Sequence, residues 1–220
     1  MLLKLLLWYL LLNYKYLNVS CRKQNSNRLL HLLLKLYLKI TGWKAVNGIS
    51  PELKKFVMVA APHTSSWDVV MGFIFRRFLK LGYVKFIGKQ ELFKPPFGFI
   101  FRKLGGVPVD RFSSNNFVDQ VVQMFNDNES FAIALSPEGT RKKVDRLRTG
   151  FYHIARQANV PIILMAMDFE HKEFRFEAPF YTTDNEAEDL KKILHYFGGV
   201  KGKNPALGLA HLADQSAENQ

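Results

Sequence analysis

His63 and Asp68, five positions apart in the run Ala61-Pro62-His63-Thr64-Ser65-Ser66-Trp67-Asp68, have the residue types for acid–base chemistry. An aspartate that accepts a hydrogen bond from one imidazole nitrogen fixes the tautomer and leaves the other nitrogen free as a general base. On a continuous helix a spacing of five sets two side chains ~140° apart, so the pair requires a turn between its members. Pro62 supplies that turn, and Ser65 or Ser66 can cap a helix carrying Asp68 in its first turn. The spacing alone specifies little. Composition predicts about 0.25 chance occurrences of H-x-x-x-x-D, and a capping aspartate beside an incidental histidine fits the same residues.

Two more clusters carry chemistry. Gly105-Gly106-Val107-Pro108-Val109-Asp110-Arg111 reads as a glycine turn into a short strand ending in an ion pair or an anion-binding arginine. In Ser136-Pro137-Glu138-Gly139-Thr140-Arg141, glycine lets main-chain N–H groups approach an anion, Thr140 adds a hydroxyl, and Arg141 offers a two-pronged fork for phosphate. The charges that follow, Lys142, Lys143, Arg146 and Arg148, read as a solvated basic loop.

The elements that must position these residues follow from periodicity. Apolar runs predict strands over 56–61, 83–87, 106–109, 131–135 and 161–167, with an alternating edge strand over 171–176. Helical patterns fill 66–81, 115–126, 149–159 and 185–196. Strand–helix alternation of this kind predicts an α/β domain, a mostly parallel sheet with flanking helices, spanning 42–197. Two of the three clusters then leave strands at their carboxyl ends, where α/β sites gather. The stretch 198–220, glycine-rich and then polar, reads as a loosely ordered tail.

The formal charge is +12, and residues 1–50 carry eight Lys or Arg and no acid, so the other 170 residues hold only +4. A basic segment of this kind suits a polyanion. Leucine content selects among polyanions: Arg28 to Ile40 places Arg28, Lys35 and Lys39 within ~40° of one another, with His31 beside them, on an otherwise leucine-rich helix. Residues 1–41 therefore read as a membrane-docking helical segment lying in the headgroup region, and no nucleic-acid partner is expected. The apolar run Leu5–Leu12 is shorter than the ~20 residues that span a bilayer, and it lacks a small-residue cleavage site. The one cysteine, Cys21, cannot form an intramolecular disulfide. Phe93 to Arg102 reads as a second membrane contact, the wall of a groove for an apolar chain, or a buried helix.

Together the blocks resemble the lysophospholipid acyltransferase superfamily, whose best-known members are the 1-acyl-glycerol-3-phosphate acyltransferases. His63 and Asp68 match its first block, Gly106 to Arg111 its second, Glu138-Gly139-Thr140-Arg141 its third, and Val160-Pro161-Ile162 its fourth, all in the family's order across about residues 42–180. Pro62 stands where many members carry Asn, and Val107-Pro108-Val109 where many carry an aromatic-rich run, which bears on acceptor choice.

The resemblance implies a glycerol-3-phosphate acyltransferase-like fold. It also implies transfer of a fatty acyl group from an acyl thioester, acyl-CoA or acyl carrier protein, to a lysophospholipid hydroxyl. His63 would be the general base and Asp68 its orienting partner. Arg111 and Arg141 would hold the acceptor's phosphate, and Glu138, Gly139 and Thr140 would shape its pocket. No metal, cofactor or covalent intermediate is implied, and the expected partners are membrane lipids and the thioester donor. Peripheral or monotopic placement on the cytoplasmic face of a membrane follows from the same resemblance. The rival readings are a lipid esterase using Ser65 or Ser66, and a non-catalytic membrane-surface protein; the absence of a G-x-S-x-G elbow weighs against the esterase.

Overall fold

A computed structural model describes residues 23–96, 98–109 and 114–218. The expectations for Leu5–Leu12, Cys21, Asp110 and Arg111 lie outside these residues. The chain divides into two compact units, Met1–Gly42 and Trp43–Gln220.

In the first unit, helix α1 runs Lys23–Thr41. Its leucines stay helical because straight-chain side chains lose little rotamer freedom there. It ends where the Thr41 hydroxyl donates back to the Tyr37 carbonyl (2.7 Å) and Gly42 takes φ +78°, the left-handed conformation that terminates helices. Leu29, Leu32, Leu33, Leu36 and Ile40 are exposed along one face, Ile40 by 75%. Arg28, Lys35 and Lys39, also exposed, lie beside them.

The second unit is built on a seven-stranded sheet in the order β1-β7-β6-β2-β5-β3-β4. The strands are β1 (Lys44–Val46), β2 (Lys55–Ala61), β3 (Val84–Lys89), β4 (Gly106–Val109), β5 (Phe131–Leu135), β6 (Ile162–Asp168) and β7 (Glu173–Phe176). All neighbouring pairs are parallel except β6 and β7. Connecting helices are α2 (Ser66–Phe78), α3 (Gly98–Lys103), α4 (Ser114–Asp127), α5 (Gly150–Gln157), α6 (Glu186–Gly198) and α7 (Ala210–Glu218).

Period-two alternation along the central strands separates two environments. Val57, Val59 and Ala61 of β2 and Ile162, Leu164 and Ala166 of β6 join Val121 and Phe125 of α4, Phe151 and Ile154 of α5, and Ile193 and Phe197 of α6 in one buried core. Each buried Val, Leu, Ile or Phe side chain among them stabilises the fold by about 1.5–3 kcal/mol, and each alanine by less. The alternate residues, Met58, Ala60, Met165 and Met167, line an apolar groove on the opposite face. Helix α2 is held there by Phe75, stacked on Phe174 of β7 at 3.8 Å, and by Phe73, edge-on to Phe86 of β3.

The sheet differs from expectation at one margin. β7 is not an edge strand, because β1 pairs with it in parallel, Ala45 opposite Phe174. Three residues are too few for β1 to show alternation in sequence. The run Phe93–Arg102 divides its roles: Phe93 is buried, Phe99 is exposed and Phe101 lines the groove.

Over residues 198–218 the supposed loose tail is structured. Val200, Leu209 and Leu212 join the core, and α7 packs against α6 closely enough that a Cβ on Gly198 would lie 2.6 Å from that of Ala213. Val200 stands between glycine and lysine, whereas Leu209 and Leu212 fall in the short apolar run Ala206–Ala213, the local signal that this stretch is held.

Candidate active site

β2 and β5 are paired neighbours, with Val59 beside Leu135, so the loops leaving them emerge together. One loop brings His63 and the other Glu138 to Arg141.

The turn from β2 into α2 is built on a capping box. Ser65 is the N-cap, its hydroxyl accepts from the Trp67 N–H (3.2 Å), and Asp68 returns a bond to the Ser65 main chain. Asp68 Oδ2 accepts from the N–H groups of Thr64 and Ser65, each at 2.7 Å, and stands 3.2 Å from His63 Nδ1. Asp68 is almost fully buried, whereas the His63 side chain keeps 27% of its surface exposed. The imidazole is thus held through Nδ1, and Nε2 remains for the groove that His63 lines.

Glu138 secures the same histidine from the second loop. It is 2% exposed; Oε1 accepts from the His63 main-chain N–H (2.8 Å) and Oε2 from the Ser136 hydroxyl (2.5 Å). Burial pushes its carboxyl above the usual carboxylate range, with the Ser136 and His63 hydrogen bonds pulling the other way. Ring and backbone of one histidine are therefore anchored by two buried carboxylates from different loops.

Gly139, Thr140 and Arg141 line the groove beside His63. Gly139 takes φ +64°, a conformation that favours glycine, and the Arg148 side chain lies within 2.8 Å of where a Cβ would stand. Arg141 Nη1 donates to the Ser66 hydroxyl. Ser65 and Ser66 are thus engaged in a cap and an arginine contact. Of the expected site residues, His63, Asp68, Glu138, Gly139, Thr140 and Arg141 come together, while Arg111 lies outside the described residues. Arg148 is exposed, as the basic-loop reading expects, and its side chain also lies over Gly139 and lines the groove, its main-chain N–H donating to the Pro137 carbonyl (2.7 Å).

The glycine pair of the second cluster has a packing cause. A Cβ on Gly106 would come within 2.8 Å of the Phe101 carbonyl and of the Phe86 and Phe93 rings.

The groove has a volume of about 1750 Å³. Its walls include Phe73, Phe86, Phe101 and the Met side chains of the sheet, and His63, Ser66, Thr140 and Arg141 line it together with further polar groups such as Arg76 and Lys85. A largely apolar chamber of this size can take a long apolar chain and also offers partners for a charged group.

A second histidine–aspartate pair lies elsewhere. Asp168, fully buried at the end of β6, accepts from His171 Nδ1 (2.8 Å) and Arg175 Nη2 (3.1 Å), and from the main-chain N–H groups of Glu170 and His171. Burial raises its pKa, but the hydrogen bonds and charge around it outweigh that and leave it below the ordinary value; the His171 imidazole is raised by the same pairing. The pair clamps the β6–β7 turn, and neither member lines the groove.

An Acyltransferase family model matches residues 44–168. The 1-acyl-sn-glycerol-3-phosphate acyltransferase of Cocos nucifera is 27% identical over 188 residues, covering 73% of this chain and 59% of that protein. The chain thus spans under two thirds of that relative's length. The crystal structure of the 1-acyl-sn-glycerophosphate (LPA) acyltransferase PlsC from Thermotoga maritima superposes with a TM-score of 0.55 at 18% identity, covering 97% of this chain and 88% of that one, a likeness of fold.

Proposed function

The chain belongs to the acyltransferase family, and from that premise we propose that it moves a fatty acyl group from an acyl thioester to the free hydroxyl of a lysophospholipid such as 1-acyl-glycerol-3-phosphate. The observation that carries the reading is the doubly anchored His63 lining a large, mostly apolar groove.

An alcohol is a weak nucleophile near neutral pH because almost none of it is ionised. His63 Nε2 takes the hydroxyl proton as the oxygen attacks the thioester carbonyl carbon. Asp68 holds the ring and stabilises the imidazolium. Collapse of the tetrahedral intermediate breaks the C–S bond, and the imidazolium proton passes to the departing sulfur. General-base help is worth ~10²–10⁴ in rate, and positioning supplies much of the remainder. Arg141, with Arg111 and Arg148, holds the acceptor's phosphate, and the groove takes an acyl chain. Glu138 acts by seating the His63 main chain, a different part from shaping the acceptor's pocket.

Because acceptor and product reside in a bilayer, the enzyme works at a membrane surface. The exposed leucines and flanking cations of α1 support peripheral docking on the cytoplasmic face, where a water-borne thioester arrives. No helix among the described residues is long and apolar enough to cross a membrane.

The test is incubation of purified protein with labelled acyl-CoA or acyl carrier protein thioester and a panel of lysolipids, the product being identified by mass. The expected result is an acylated lysophospholipid, and a rate lowered ~10²–10⁴-fold in His63→Ala with folding retained. Free fatty acid released without acceptor, or near-normal turnover in that variant, overturns the proposal.

A further inference from the structure

We propose that Asn204, on the segment following α6, is a positioning residue that holds the His63–Asp68 turn in its working geometry through Thr64. The inference rests on the reading of His63 as general base.

The segment is tied down before it reaches the turn. The Phe169 N–H, just past β6, donates to the Lys201 carbonyl (2.8 Å). At Gly202 the main chain presses on the turn so closely that a Cβ would lie 2.7 Å from Thr64 Oγ1 and 3.0 Å from Pro62 Cγ. Asn204 then makes two bonds to one residue: its main-chain N–H donates to Thr64 Oγ1 (3.1 Å) and its Nδ2 to the Thr64 carbonyl (2.8 Å).

Thr64 is 2% exposed, and its own N–H donates to Asp68 Oδ2, the oxygen that faces His63 Nδ1. Asn204 thus supplies the donors for the acceptors of a residue whose donor is engaged by the orienting carboxylate. A buried carbonyl without a donor is costly, and the turn relaxes to find one. That relaxation moves the peptide between His63 and Asp68. A misplacement on the order of 1 Å can lower a rate about 10²-fold.

The experiment compares Asn204→Ala, Asn204→Asp and Gly202→Ala with the unaltered chain. Asn204→Asp keeps the shape but sets an acceptor against the Thr64 carbonyl. Gly202→Ala pushes the segment off the turn while retaining Asn204. Expected is a fall in kcat of about 10–10²-fold per folded molecule. The loss should be largest in Asn204→Asp, with KM for both substrates within about twofold. A second readout is independent of turnover. The proton resonance of the His63 Nδ1–H, assigned by its loss in His63→Ala, is expected to shift or broaden in Asn204→Ala and Asn204→Asp. An unchanged resonance with unchanged kcat in folded Asn204 variants overturns the proposal. So does a loss of kcat accounted for wholly by a lower folded fraction. Should the unaltered chain transfer no acyl group, the functional reading fails, and the resonance alone still decides the role of Asn204.

Discussion

At Asp68 a helix cap and an orienting carboxylate converge on one atom. Oδ2 accepts from the Thr64 and Ser65 N–H groups and faces His63 Nδ1, so the helix start and the imidazole are fixed together. Capping, which alone contributes about 0.5–2 kcal/mol, is therefore how the pair is aimed and not an alternative to it. The proposed part of the arginines rests on the shape of their fork. Arg141→Lys keeps the charge and loses the paired donors, so the acceptor's KM is expected to rise roughly tenfold while the thioester's KM stays put. Arg148→Ala should move the same constant in the same direction. Initial-rate kinetics with each substrate varied in turn provide the measurement. A change confined to the thioester's KM would place these arginines at the donor.

Helix α2 both packs on the sheet and lines the groove. Its first turn carries Asp68, and one turn further Gly72 lines the groove, with nothing within 4 Å of where a Cβ would stand. Neither close packing nor an unusual φ requires glycine there, and mid-helix glycine costs about 0.5–1 kcal/mol relative to alanine. The missing side chain leaves room in the groove. Gly72→Ala is expected to raise stability by up to about 0.5–1 kcal/mol, read by thermal unfolding. Gly72→Leu should lower transfer of long acyl chains relative to short ones, read by competition among thioesters of different length. Equal loss at every length would separate Gly72 from the acyl chain. The strands set the scale of this arrangement, since β2 and β5 lie side by side and deliver their loops to the same end of the sheet.

For the whole molecule, charge and leucine together are the basis of the proposed docking at a membrane surface. The net charge of +12 is concentrated in the first 50 residues, and α1 exposes five large apolar side chains beside its cations. Each cation near an anionic surface contributes about 1 kcal/mol, and an inserted leucine contributes more. The protein is therefore expected to sediment with anionic vesicles, less so at high salt, and Leu36→Asp with Ile40→Asp should release it into the supernatant. Equal partition onto neutral vesicles would remove the role assigned to the basic stripe.

Sequence by itself determined what is encoded within short stretches. His63 and Asp68 flank their own turn, Ser65 caps its own helix, and apolar runs such as Phe56–Ala61 declare buried strands because both faces are covered. Contacts between distant stretches were decided only by tertiary structure. Glu138 reaches the His63 main chain across 75 residues, and Asn204 reaches Thr64 across 140. Arg148 entered the site because the Pro137 carbonyl and the bare Gly139 position it there. Strand β1 was silent in sequence for the same reason. Three residues carry no period of their own, and they acquire structure from the surface they meet.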